Sequence, residues 1–162
     1  MNKSPAYQSQ IIFGMNNRLF SSTLEGVTEE QAKERIAGHV NPIDWIASHT
    51  VWARYNALMF LGAPADNPYN SLFENFKAYD SSLNYPSLAE IKDEWKKVSD
   101  LLDDAFKNAS DDHLAGDSPI KSPIGDFTNA GTIAFFAQHE SYDIGQLGLL
   151  KKFFTKEAMS YN

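Results

Sequence analysis

From Leu88 onward, apolar side chains return at alternating steps of three and four: Leu88, Ile91, Trp95, Val98, Leu102 and Ala105, with charged residues filling the gaps. That spacing puts all six on one face of an α-helix and contains none of the strict alternation of a half-buried strand. Ser87-Leu88-Ala89-Glu90 starts the helix as a capping box, the serine oxygen taking an orphan N–H and the glutamate reaching back. A clean apolar face needs other helices to cover it.

Three more long segments and one short one supply them. Over residues 6–26, Ile12, Met15, Leu19 and Leu24 lie close together on a helical face that Asn16, Asn17 and Arg18 interrupt. Thr28-Glu29-Glu30-Gln31 is a second capping box and predicts a short helix to about Ala37, ended by Gly38. Asn41-Pro42-Ile43-Asp44 opens the second long helix, to about Leu61, with Asn41 as N-cap, Pro42 in the first helical position and Asp44 at the positive end of the dipole. The last long helix is predicted over Asn129–Thr155, where Phe135, His139, Tyr142, Gln146, Leu149 and Phe153 share a face with Asp143 at its margin. Gly145 and Gly148 weaken such a helix unless close packing requires them. The expected fold is all-α, a four-helix bundle whose second and third long helices are joined by a packed, aromatic-rich crossover, Gly62–Pro86. A second loop, Ser110–Thr128, precedes the polar-faced helix and is placed to rim a site.

The chain's 162 residues, 43% of them apolar, suit one domain over residues 1–162. A formal charge of −7 argues against nucleic acid and anionic membranes as partners. Ile11–Met15 is too short for a secretory segment, and Ala57–Ala65 falls short of the ~20 residues that cross a bilayer. A soluble cytoplasmic protein is the expectation. Cysteine is absent, so a disulfide framework, a cysteine-ligated metal and a cysteine nucleophile are all excluded, and any thiol chemistry must borrow its sulfur.

The residues that suggest chemistry are His139 and Asp143, four apart and on consecutive turns of one face. Such a pair can hold a divalent metal if a third ligand comes from elsewhere, and His49, on the face Trp45-His49-Trp52-Asn56-Met59, is the natural one. The alternative is a satisfied core histidine. Gln146 lies on the His139 face, and Asn56 is either a second inward amide or one paired with backbone. Glu140, about 100° round the helix from His139, reads as exposed or as supporting a ligand. His39 and His113 read as solvent-exposed. Trp45, Trp52 and Tyr55 read as core in preference to a pocket wall over a metal.

The run Asn41-Pro42-Ile43-Asp44-Trp45-Ile46-Ala47-Ser48-His49 resembles the start of the second helix in the DinB/YfiT-like family, where a Ser-Ile-x-x-x-x-x-His pattern ends in the first metal histidine. The tail from His139 to Leu150 resembles that family's closing motif, H-E-x-x-H-x-G-Q-I-x-x-L. The resemblance implies a four-helix bundle with a long crossover, commonly a homodimer, holding a divalent metal between three histidines. Carried across, His49 and His139 match two ligands, Asp143 stands where the third histidine is expected, and Gln146 orients a ligand or binds substrate. A two-histidine, one-aspartate site accommodates zinc or nickel first, and iron or manganese also. The other reading of the same residues is a buried polar network in which Asp143 accepts a hydrogen bond from His49 or His139.

For function, the resemblance implies a metal-dependent transferase or hydrolase that ionises the thiol of a low-molecular-weight cofactor or a water. A hydrolytic variant needs a general base, for which Glu140 is the nominee. The alternative is a non-catalytic, stress-related bundle that binds a small ligand around a degenerate metal site. Either reading expects His49, His139 and Asp143 to converge inside the bundle, within reach of one ion at ~2.0–2.2 Å.

Overall fold

A computed structural model describes residues 3–161. Its long helices are α1 (Tyr7–Thr23), α3 (Ile43–Phe60), α5 (Leu88–Asn108) and α7 (Asn129–Thr155), and short ones are α2 (Glu29–Lys33), α4 (Asn70–Phe73) and α6 (Asp111–Ala115). Among the described residues there is no strand. Helix α7 packs between α1 and α3, and α5 lies against α3 and, less extensively, α1. The four thus form a bundle with α3 and α7 face to face. Buried apolar side chains of all four make one continuous cluster.

Both capping boxes form as read from sequence. Gln31 N–H donates to Thr28 Oγ1 at 3.2 Å and Thr28 N–H to Gln31 Oε1 at 3.0 Å. Glu90 N–H donates to Ser87 Oγ at 3.3 Å and Ser87 N–H to Glu90 Oε2 at 2.8 Å. The α5 seam Leu88, Ile91, Trp95, Val98, Leu102 and Ala105 is buried throughout. Helix α7 has the expected limits, because Thr128 Oγ1 caps Gly131 N–H at 3.0 Å while Asp126 Oδ1 takes both Thr128 N–H and its hydroxyl. A Cβ on Gly131 would sit 2.4 Å from Asp126 Cγ, so that turn requires glycine.

Other expectations are corrected. On α1 the buried stripe includes Ser9, Phe13, Asn16 and Phe20, while Met15 is exposed and Ile12 half-buried. The α1 face is turned because Asn16 goes inward, its amide donating to Ser141 Oγ at 3.0 Å. Helix α2 stops at Lys33 and gives way to a single 3-10 turn, Ile36–Gly38. Pro42, not Asn41, is the N-cap of α3, with no side-chain cap bond. Asp44 is buried, with its Oδ1 accepting Trp45 N–H at 2.7 Å, and burial pushes its carboxyl above the ordinary range. Gly148 lies against Met159 of the C-terminal segment, whose sulfur would be 2.9 Å from an added Cβ, but Gly145 faces open space.

The outer face of α7 is the largest departure. Tyr142, Leu149 and Phe153, expected on the inward stripe with His139, are 64%, 71% and 51% exposed. The inward face instead carries Ile133, Ala137, Glu140, Ile144 and Leu147. The crossover packs as expected, burying Tyr69 and Phe73, yet leaves Phe76 wholly exposed at the end of a turn in which Asn75 and Phe76 both have positive φ. No helix is long and apolar enough, among the described residues, to cross a membrane.

Candidate metal centre

Helix α3 contributes His49 and helix α7 contributes His139 and Asp143, from the best-packed pair of helices in the bundle. One ligand-type atom from each lies within 4.8 Å of the others. His49 Nδ1 is 3.2 Å and His139 Nδ1 3.6 Å from the same oxygen, Asp143 Oδ2. Two ligands each ~2.1 Å from a tetrahedral ion stand ~3.4 Å apart, so both separations suit a shared cation.

The surroundings fix the three side chains. His49 is stacked on Trp45 (5.0 Å between centroids, 9°) and on Trp52 (5.4 Å, 27°), and the edge of Phe73 meets it at 5.3 Å. The carboxylate of Asp143, 6% exposed, is held from both sides: Thr50 Oγ1 lies 3.5 Å from Oδ2, and Gln146 Nε2 donates to Oδ1 at 3.3 Å. Gln146 therefore orients Asp143, a role the closing-motif resemblance allowed. The two imidazoles approach to 5.1 Å.

His139 supplies the sharpest test of whether the residues suit a cation. Its Nδ1 is buried and has no hydrogen-bond partner among the described residues. Such orphans are uncommon in folded proteins and cost ~1–3 kcal/mol each. Burial, opposed by Asp143 and reinforced by His49, pushes the His139 imidazole below its ordinary value, which favours the neutral form a metal requires. A divalent ion would complete Nδ1 and be bound by two neutral nitrogens and one carboxylate. The residues fit it. His49 also makes the hydrogen bond to Asp143 that the buried-network reading expects, but that network leaves His139 unsatisfied.

Trp45 and Trp52 are half-buried and wall the cavity beside His49, a correction to the expectation of core, while Tyr55 is buried and donates its hydroxyl to Glu94. Asn56 is half-buried on the same cavity wall as His139. Of the other histidines, His39 is exposed as expected, but His113 is half-buried and its Nε2 donates to the Phe60 carbonyl at 3.0 Å, tying α6 to the end of α3.

Glu140 is neither exposed nor in contact with the trio. It is 1% exposed, and both its oxygens accept from Arg54, Nε and Nη2, at 2.7 Å. Arg54 also donates to Ser99 Oγ at 2.6 Å and to the Phe13 carbonyl at 3.1 Å, with its guanidinium 3.7 Å from the Trp95 ring centre. This network joins all four long helices one residue away from His139. A signal for it was present: Arg54 is the only charged residue between Asp44 and Asp66. A lone cation within an apolar helix has to meet a buried carboxylate. Burial pushes the Glu140 carboxyl up, and the Arg54 guanidinium opposes that.

A helical bundle whose interior brings two histidines and a carboxylate together is a scaffold whose ligand set could hold a divalent cation between helices. The sequence pattern of the DinB superfamily matches residues 13–147, and the chain belongs to that superfamily. Comparison with curated proteins finds no match.

Proposed function

We propose that the chain is a divalent-metal-dependent enzyme of the transferase type, with His49, His139 and Asp143 as its metal ligands and zinc or nickel as the ion. The observation that carries this reading is the buried, unpartnered Nδ1 of His139, 3.6 Å from the carboxylate that His49 already touches. When bound, such an ion lowers the pKa of a coordinated thiol or water and supplies a nucleophile at neutral pH.

The chain's own residues divide the remaining work. Thr50 and Gln146 hold the Asp143 carboxylate in place, and the Trp45–Trp52 stack fixes the His49 ring. Phe135 and Phe136 help wall the cavity on the His139 side. Glu140, nominated from sequence as general base, is committed to Arg54, so the hydrolytic variant loses its proton acceptor. Transfer to a borrowed low-molecular-weight thiol needs no such base once the thiol is ionised, and the absence of cysteine is in keeping with it. This reading takes a small molecule as partner, places the protein in the cytoplasm, and uses the exposed Tyr142, Leu149 and Phe153 as part of a homodimer face.

The test compares zinc- or nickel-loaded protein, chelator-treated protein and His139→Ala for displacement of chloride from 1-chloro-2,4-dinitrobenzene by glutathione or cysteine and for hydrolysis of 4-nitrophenyl acetate. Chloride displacement that requires both metal and His139 supports the reading. Metal binding without turnover in either assay supports the alternative, a non-catalytic small-ligand bundle.

A further inference from the structure

The cavity beside the trio has two lobes with His49, Trp52 and Phe76 as their common wall. One, about 300 Å³, is walled mainly by apolar groups, among them Met59, Ile120, Phe135 and Phe136, with Asn56 and His139 as polar members. The other, about 310 Å³, is lined by Trp45, Phe73 and Tyr79 together with two cations, Arg35 and Lys77. Each lobe lies at the low end of the ~300–1,000 Å³ typical of small-molecule sites, and the shared wall lets one ligand reach into both.

The charges in the second lobe are unusual for this chain. Acidic residues outnumber basic ones by 21 to 14, and Lys96, Lys97 and Lys107 each sit on a carboxylate within 3.0 Å. Among the described residues no carboxylate lines either lobe. Lys77 is shared between Glu74 at 3.3 Å and the Ser71 carbonyl at 2.8 Å. Among the described residues Arg35 forms no ion pair: its Nη2 reaches the His39 carbonyl at 3.5 Å, and the guanidinium lies 4.8 Å from the Tyr79 ring centre. A guanidinium fixed on an aromatic face, exposed and facing a cavity, presents its donors to a carboxylate or phosphate. The opposite lobe is mostly apolar, with His49, His139 and Asn56 as its polar members, and suits a ring or branched chain.

We propose that the site takes a small amphipathic anion: an apolar body lies between Met59, Phe135 and Phe136, a carboxylate or phosphate meets Arg35, and the linking atoms pass His49. This names a substrate class for the metal centre and rests on that reading only for what happens to the linking atoms. Binding of the two ends depends on the lobes alone, so it can be tested without metal.

The experiment titrates chelator-treated protein with 4-phenylbutyrate, 3-phenylpropyl phosphate, 4-phenylbutan-1-ol and 4-phenylbutylamine by calorimetry. The expected order is both anions tighter than the alcohol by about fivefold or more, equivalent to about 1 kcal/mol, with the amine weakest. Arg35→Gln, at an exposed position, should bring the anions down to the alcohol and leave the alcohol unchanged. Ile120→Asn, also exposed, should weaken anions and alcohol together. The tighter anion identifies the head group. Equal affinity of anions and alcohol, an anion preference that survives Arg35→Gln, or anion binding that appears only on adding zinc would each overturn the proposal. A protein that keeps the Arg35-dependent preference yet binds no zinc would instead overturn the metal reading and leave this one standing.

Discussion

Removing the guanidinium of Arg54 should destabilise the bundle in a way that grows with pH. Glu140 is fully enclosed, and Arg54 supplies both hydrogen bonds that its carboxylate accepts at 2.7 Å. Arg54→Met fills the aliphatic space but leaves that carboxylate buried without its counter-charge. Breaking one partner of a buried pair costs ~3–5 kcal/mol. At ~2–4 °C per kcal/mol for a chain of this size, the melting temperature should fall by roughly 6–20 °C at pH 7. With its counter-charge gone, burial raises the folded-state pKa of Glu140 above its unfolded value of about 4.3. The protonated acid is then the form the fold tolerates. The variant is therefore least impaired below the unfolded pKa and loses stability as pH rises toward the folded one, at up to about 1.4 kcal/mol per pH unit. Replacing both partners, Arg54→Met with Glu140→Leu, removes the buried charge altogether and should recover most of the loss, within about 2 kcal/mol of the parent and without the pH slope. Urea unfolding followed by far-UV circular dichroism from pH 5 to pH 8 measures all three proteins. A single variant within 1 kcal/mol of the parent, or a loss that does not change with pH, would refute the reasoning.

Four other outcomes follow from the same contacts. Thr128→Ala removes the cap on Gly131 N–H and should cost ~1 kcal/mol, read by thermal unfolding. Phe73→Ala removes a fully buried ring that touches Trp45, His49 and Trp52, and should cost ~3–5 kcal/mol while loosening His49, seen as lost near-ultraviolet dichroism from the tryptophans. Asp143→His restores the family pattern and should tighten zinc or nickel binding in calorimetry, whereas Asp143→Asn, which removes the site's one negative charge, should weaken it. If the exposed face of α7 is a dimer contact, Leu149→Lys with Phe153→Asp should shift the protein in light scattering to a species of about 18.2 kDa, and a parent already of that mass counts against the dimer.

What could be read from sequence was what depends on local chemistry. The two capping boxes, the α5 seam and the limits of α7 are set by side chains within four residues of one another, and each stands where the sequence puts it. His49, His139 and Asp143 were legible because a pair at i, i+4 and a family motif both pointed at them. The orientation of whole faces was not. On α1, Asn16 turns inward to Ser141, and on α7, Glu140 turns inward to Arg54, so an apolar count assigns both helices the wrong side. A polar residue that is buried because of a partner some 90 or 120 positions away leaves little trace in its own neighbourhood. The same reason hid Arg54, and it placed Tyr142, Leu149 and Phe153 inward when they face solvent. Thr50, Phe73 and Phe76 were missed because they matter only through the spatial proximity of the crossover and α7 to α3.

The central claim is that His49, His139 and Asp143 bind one divalent ion, and metal content tests it most directly. Protein purified without a histidine tag is analysed by inductively coupled plasma mass spectrometry, then stripped with chelator and titrated with zinc and with nickel. About one tightly held ion per chain is expected in the parent, with binding abolished in His139→Ala and strongly weakened in His49→Ala. No stoichiometric metal and no saturable titration, or a site that survives loss of His139, would contradict the account and leave Asp143 as the hub of a buried hydrogen-bond network.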